Sequence, residues 1–142
     1  MRPREFRGEP MNTVRTLLVD DNEAFLVLAR HLLATVPEIS VVGLCHDGYD
    51  AVRLAEELRP DLILMDLSMP GMGGLQATRL IKAQDTPPRI LIASHYDDAE
   101  HREHTAQAGA DGFISKHDYE HRIAEYVRAN MAASVQEGGA HG

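Results

Sequence analysis

A single cysteine, Cys45, occurs in the 142 residues, so no disulfide can close within the chain and nothing in it demands an oxidising compartment. It ends an apolar run, where a small buried side chain is the plain reading. Long apolar runs are missing too. None approaches the roughly 18 residues that a membrane span needs, and the basic stretch Met1 to Pro10 lacks the apolar segment of a secretory signal. A positive balance is also absent: the formal net charge is -8, which argues against a function driven by attraction to nucleic acid or to an anionic membrane surface. The expected partners are proteins and cations. No internal repeat and no low-complexity tract is present. What remains is ordinary for a folded chain, with 44% hydrophobic and 25% charged residues and a length that suits one core.

The patterning divides the chain into a flexible leader over residues 1–12, one domain over 13–134, and a flexible tail or linker remnant over 135–142, rich in glycine. Within the domain, Thr16 to Val19, Ile39 to Cys45, Leu62 to Met65, Ile90 to Ala93 and Gly112 to Ile114 read as strands, and segments of helical period separate them. The strand runs are mostly apolar without alternation, so both sheet faces must be covered. That predicts an α/β fold, a doubly wound parallel sheet of five strands.

The first helix is expected from Glu23, with Asp21 and Asn22 as capping candidates and Phe25, Leu28, Ala29, Leu32, Leu33 and Val36 on its core stripe. Leu26 and Val27 fall off that stripe and are read as facing either the fifth helix or a partner. Gly48 to Leu58 gives the second helix, and Gly73 or Gly74 opens the third, which uses Leu75, Leu80 and Ile81. The fourth, roughly Asp98 to Ala108, has alanine at most apolar positions and is expected to be weakly held. The fifth is anchored by Ile123, Val127 and Met131.

In an open α/β sheet, ligands bind beyond the carboxyl ends of the strands. There the sequence places Asp20 and Asp21 after strand one, Asp66 after strand three, Ser94 after strand four, and Ser115 and Lys116 after strand five. Three neighbouring carboxylates repel one another unless protonated or bridged by a cation, and an all-oxygen open site suits magnesium. A carboxylate can also attack phosphorus, while a metal and a lysine neutralise charge on the transferring group. The set therefore has the parts for phosphoryl transfer to Asp66. Taken singly, each acidic residue could be a helix cap and Lys116 a solvated lysine; the joint pattern decides against that.

The stretches Leu17-Leu18-Val19-Asp20-Asp21, Leu64-Met65-Asp66-Leu67-Ser68-Met69-Pro70-Gly71-Met72-Gly73-Gly74, Ile92-Ala93-Ser94 and Gly112-Phe113-Ile114-Ser115-Lys116 resemble the receiver domains of two-component response regulators, over roughly residues 14 to 132. The Gly112 to Lys116 stretch without a following proline is similar to receivers of the helix-turn-helix transcription-factor branch. No DNA-binding domain of that kind is read after Ser134, so direct nucleic-acid binding by this chain is not expected. The resemblance implies a flavodoxin-like (βα)5 fold with strand order 2-1-3-4-5. It implies Mg2+ held by Asp20, Asp21, Asp66 and the backbone carbonyl of Ser68, with Mn2+ able to substitute.

By the same resemblance Asp66 is the phosphoacceptor for a sensor histidine kinase or phosphotransfer protein. Lys116 and Ser94 would contact the phosphoryl group, Ser94 and Phe113 would form the switch, and Ser68 and Tyr96 would set the dephosphorylation rate. The implied protein is a cytoplasmic signalling domain that catalyses its own phosphorylation and dephosphorylation rather than a turnover enzyme. Its output face would comprise the fourth helix, fifth strand and fifth helix; homodimers could use that face or the first and fifth helices. His117 stands where many receivers have a cis proline, so a trans Lys116–His117 bond is expected.

Two rival readings of the same residues exist. A haloacid-dehalogenase-like phosphohydrolase would need a second aspartate where Ser68 stands, and an interaction module that is never phosphorylated would lack acceptor-site residues that are all present here. His95, His101 and His104 raise the option of a transition-metal site, against which stands the plainer reading of solvated histidines.

Overall fold

The computed structural model describes residues 13–96 and 99–131. The expected leader at 1–12, the tail at 135–142 and the boundary at 134 lie outside the described residues. Five strands alternate with five helices: β1 (Val14–Val19), α1 (Glu23–Leu33), β2 (Ile39–Cys45), α2 (Gly48–Leu58), β3 (Leu62–Asp66), α3 (Gly74–Lys82), β4 (Arg89–Ser94), α4 (Ala99–Gln107), β5 (Gly112–Ser115) and α5 (Tyr119–Asn130). All strand pairs are parallel and the order is β2-β1-β3-β4-β5. The doubly wound parallel sheet read from the apolar runs is observed, and so is the flavodoxin-like strand order that the resemblance implies.

The unbroken apolar runs have a direct structural cause. Successive strand residues point to opposite sheet faces, and helices cover both. On one face Val14, Leu18, Leu62, Leu64, Leu91, Ala93 and Ile114 pack with Leu26, Ala29 and Leu33 of α1 and with Tyr119, Ile123 and Val127 of α5. On the other, Leu17, Val19, Ile63, Met65, Ile90 and Ile92 pack with Ala51 and Ala55 of α2 and Ala77 and Ile81 of α3. Every residue of β1 and β3 is buried.

Two helical stripes are corrected. Leu26 is 1% exposed and belongs to the core, whereas Leu28 is 52% and Val27 41% exposed. The reason is rotation about the helix axis: the stripes through Leu28 and through Leu26 share Ala29 and Leu33, and the groove beside α5 selects the second. Leu26 therefore faces no partner. In α3 Ile81 is buried and Leu75 half-buried, but Leu80 lies outside at 43% exposure. The low burial expected of α4 is observed, since Thr105 is its buried residue and Ala108 follows just past its end.

Candidate functional site

Sheet register brings the polar residues to one edge. Val19 of β1 lies beside Met65 of β3, Asp66 beside Ala93 of β4, and Ser94 beside Ser115 of β5. Residues that end or follow these strands thus share one level above the sheet. Asp20, Asp21 and Asp66 each offer a carboxylate oxygen within 4.8 Å of the others. Asp20 and Asp66 are buried, while Asp21 is exposed at the mouth.

Lys116 leaves β5 and must cross two strand spacings, roughly 10 Å, to reach β3. Only a long side chain can do so. Its Nζ donates to Asp66 Oδ1 at 2.9 Å and to Asp20 Oδ2 at 2.5 Å, with the lysine side chain 6% exposed. The other Asp20 oxygen accepts the Asn22 N–H at 2.9 Å. Asn22 in turn caps α1, its side chain accepting the Phe25 N–H at 3.0 Å.

Burial pushes the Asp66 carboxyl up to about 6, and the charges of Asp20 and Asp21 add to that, against the pull of the Lys116 hydrogen bond and charge. For Lys116, burial works to lower the pKa, but the hydrogen bonds to Asp20 and Asp66 outweigh it and the ammonium is held above its ordinary range. Lys116 stays charged. The donor set is all oxygen, with one open side at Asp21, which fits a hard divalent cation that keeps part of its water shell.

The loop after β3 is fixed by a close approach at Gly74, the first residue of α3. A Cβ there would stand 2.1 Å from the backbone carbonyl oxygen of Asp66, so only glycine lets α3 start so near the acidic residue. Ser68 is exposed on this loop.

Ser94 is buried at the end of β4 and its Oγ accepts the Tyr96 N–H at 3.0 Å. Tyr96 is 67% exposed and its ring stacks on His101 of α4, with centroids 5.8 Å apart. Phe113 is half-buried against the β4 side of the core, and the Arg102 guanidinium lies 5.2 Å from its ring centre. No cis peptide bond occurs among the described residues, so Lys116–His117 is trans; the chain turns there through a short 3-10 helix whose first N–H groups include that of His117, bonded to Ser115 Oγ at 3.1 Å.

The structure thus brings Asp20, Asp21, Asp66 and Lys116 together. His95 meets His117 ring to ring and His101 meets Tyr96, and among the described residues the cluster able to hold a metal is the three aspartates, with no histidine in it. Two aromatic residues beside Lys116 were not singled out as site residues. The ammonium lies 4.5 Å from the Phe25 ring centre, and Phe25 meets buried Tyr119 edge to face at 5.0 Å. Nothing in the sequence distinguishes them from core aromatics.

Comparison with known proteins shows the family and the fold. The family described as the response regulator receiver domain matches residues 16–128. The chain belongs to that family. This receiver domain is 38% identical over 116 residues to the transcriptional regulatory protein LiaR of Bacillus subtilis (strain 168), covering 82% of this chain and 55% of that protein. Over 100 residues it is 37% identical to the nitrate/nitrite response regulator protein NarL of Escherichia coli (strain K12), covering 70% and 46% respectively.

Among solved structures, the signal receiver domain of the NarL response regulator from Mycobacterium tuberculosis superposes with a TM-score of 0.78 at 31% identity, covering 84% of this chain and 96% of that one. The receiver domain spans about half the length of the curated relatives it matches. No helix among the described residues is long and apolar enough to cross a membrane.

Proposed function

We propose that this receiver domain is a phosphorylation switch in which Asp66 accepts a phosphoryl group from a sensor histidine kinase or phosphotransfer protein. The observation that carries the reading is the Lys116 ammonium bridging Asp20 and Asp66 inside a cluster of three carboxylates. Asp20, Asp21, Asp66 and the backbone carbonyl of Ser68 would hold Mg2+, with Mn2+ able to substitute; the bound ion would neutralise carboxylate charge and that of phosphoryl oxygens.

An Asp66 carboxylate oxygen attacks phosphorus, and the bond from phosphorus to the donor's imidazole nitrogen breaks. The electron pair leaves with that nitrogen, which takes a proton, and Asp66 becomes an acyl phosphate. Lys116 moves its hydrogen bond from the Asp66 oxygen to a phosphoryl oxygen. Water later attacks the same phosphorus, the bond from phosphorus to the Asp66 oxygen breaks, and inorganic phosphate leaves as the carboxylate is restored, so the domain also dephosphorylates itself. By the family resemblance, Ser68 and Tyr96 would set its rate.

The switch follows from Ser94. Its Oγ holds the Tyr96 N–H in this state. Drawn to a phosphoryl oxygen, it would carry the β4–α4 loop with it and open room for Phe113 to turn inward. The face of α4, β5 and α5 would then change its affinity for a protein partner, a linked output domain or a second copy; α1 with α5 is the alternative dimer face. Little burial opposes movement of α4. A cytoplasmic location is part of the same proposal.

The test is incubation with phosphoramidate and Mg2+ followed by intact mass. A gain of one phosphoryl group in wild type and none in Asp66→Ala is expected. Equal gain in both, or steady turnover of a small phosphate ester over many cycles, would overturn the reading.

A further inference from the structure

We infer that Phe25 is a positioning residue for phosphoryl transfer: its ring face forms the third wall of the socket that holds the Lys116 ammonium. The inference rests on the proposed role of Lys116 beside the Asp66 phosphoryl group.

A lysine ammonium has three N–H donors. Two are used by Asp20 and Asp66 at 2.5 and 2.9 Å. Nζ also lies over the Phe25 ring at 4.5 Å from the centroid, inside the roughly 6 Å range of a cation–π contact, so the ring faces an ammonium with one donor left over. The lysine side chain is 6% exposed, so little water competes for this contact.

Phe25 is held at its backbone and at its ring. Its backbone N–H is bonded to the Asn22 side chain at 3.0 Å, and Asn22 donates its own N–H to Asp20 at 2.9 Å. A closed circuit results, running from Asp20 through Asn22, Phe25 and Lys116 back to Asp20. Tyr119, 4% exposed, backs the ring edge to face at 5.0 Å. The Phe25 ring therefore has little freedom to leave the ammonium.

This wall suits the chemistry in a way that a third carboxylate would not. When a cation occupies the aspartates, it competes with Lys116 for their oxygens, and when Asp66 is phosphorylated the lysine must exchange partners. A ring face attracts the ammonium without binding the metal or repelling the phosphoryl group. It keeps Lys116 in the pocket through the exchange. Leucine at this position would fill much of the same volume but present no negative face.

The experiment compares wild type with Phe25→Leu, Phe25→Tyr and Phe25→Trp in two measurements. The first is the rate of Asp66 phosphorylation by phosphoramidate with saturating Mg2+. Loss of about tenfold in Phe25→Leu, with Phe25→Tyr or Phe25→Trp within about threefold of wild type, is expected for a cation–π contact screened from water. Wild-type rates in Phe25→Leu, or equal losses in all three folded variants, would reduce Phe25 to packing and overturn the inference.

The second measurement needs no phosphorylation. Ring current from Phe25 should move the Lys116 ε-methylene protons upfield of those of an exposed lysine, and Phe25→Leu should abolish that displacement. Its absence in wild type overturns the positioning role. A wild type that shows the displacement but never gains phosphoryl mass would instead sink the phosphoacceptor reading.

Discussion

Replacing Asp66 by asparagine should stabilise the metal-free domain, and do so only above a defined pH. Burial raises the Asp66 carboxyl from 3.8 to about 6, with Asp20 and Asp21 adding to the effect of burial and Lys116 opposing it. Because the folded-state value lies above the unfolded one, the folded chain holds a proton between about pH 4 and 6 that the unfolded chain has lost. The stability associated with this carboxyl is full below about pH 4 and falls as pH rises through 6.

At about 1.4 kcal/mol per pH unit, the ionised group costs the fold about 3 kcal/mol at pH 8. Asparagine keeps the shape and cannot ionise. In the presence of a chelator, urea unfolding should therefore give nearly equal stabilities for wild type and Asp66→Asn at pH 4. The variant should lead by about 3 kcal/mol at pH 8, which for a chain of this size corresponds to about 10 °C in Tm. The difference between the two proteins isolates this one carboxyl from every other titration. A difference that stays constant across this pH range, or one in which wild type gains on the variant as pH rises, would refute the reasoning.

Adding Mg2+ at pH 8 should close the same gap, because a cation shared by the carboxylates offsets their repulsion; a calorimetric scan in which magnesium raises the Tm of both proteins equally would count against the aspartates as its site. Gly74→Ala should destabilise the domain by about 2 kcal/mol or more and slow phosphorylation, because its methyl group would be driven onto the Asp66 carbonyl; unchanged unfolding midpoints would show that α3 has room to retreat. On α1, Leu26→Ala should cost about 2 to 5 kcal/mol and Leu28→Ser less than about 0.5, from their opposite burial, as equilibrium unfolding can check. Tyr96→Ala should shorten the life of the phosphorylated form severalfold if the ring limits access of water, and an unchanged decay rate would remove that role.

Particular residues show how far the sequence could be read. Apolar runs such as Leu62 to Met65 determined that both sheet faces are covered, since a strand with apolar side chains on each side cannot leave either in water. With the ligand-binding edge of such sheets known, the runs also located Asp20, Asp66, Ser94 and Lys116 at one end, because the first three are each the first polar residue after an apolar run and Lys116 follows Ser115 at the end of the fifth. Local chemistry offered Asp21 and Asn22 as caps, and the Phe25 N–H donated to the Asn22 side chain decides for Asn22.

Tertiary structure decided what periodicity leaves degenerate. Leu26 and Leu28 both lie on plausible helical stripes, and only docking beside α5 buried one and exposed the other. Phe25 and Tyr119 stand 94 positions apart in the chain, so no local pattern could show that they meet, or that their contact backs the ring facing Lys116. The two strand spacings that Lys116 spans to reach Asp66 are likewise a property of strand order and register. Sequence alone supplied the chemical groups of the acidic pocket; the distances that let one ammonium answer two carboxylates and an aromatic face came from the packing of the sheet.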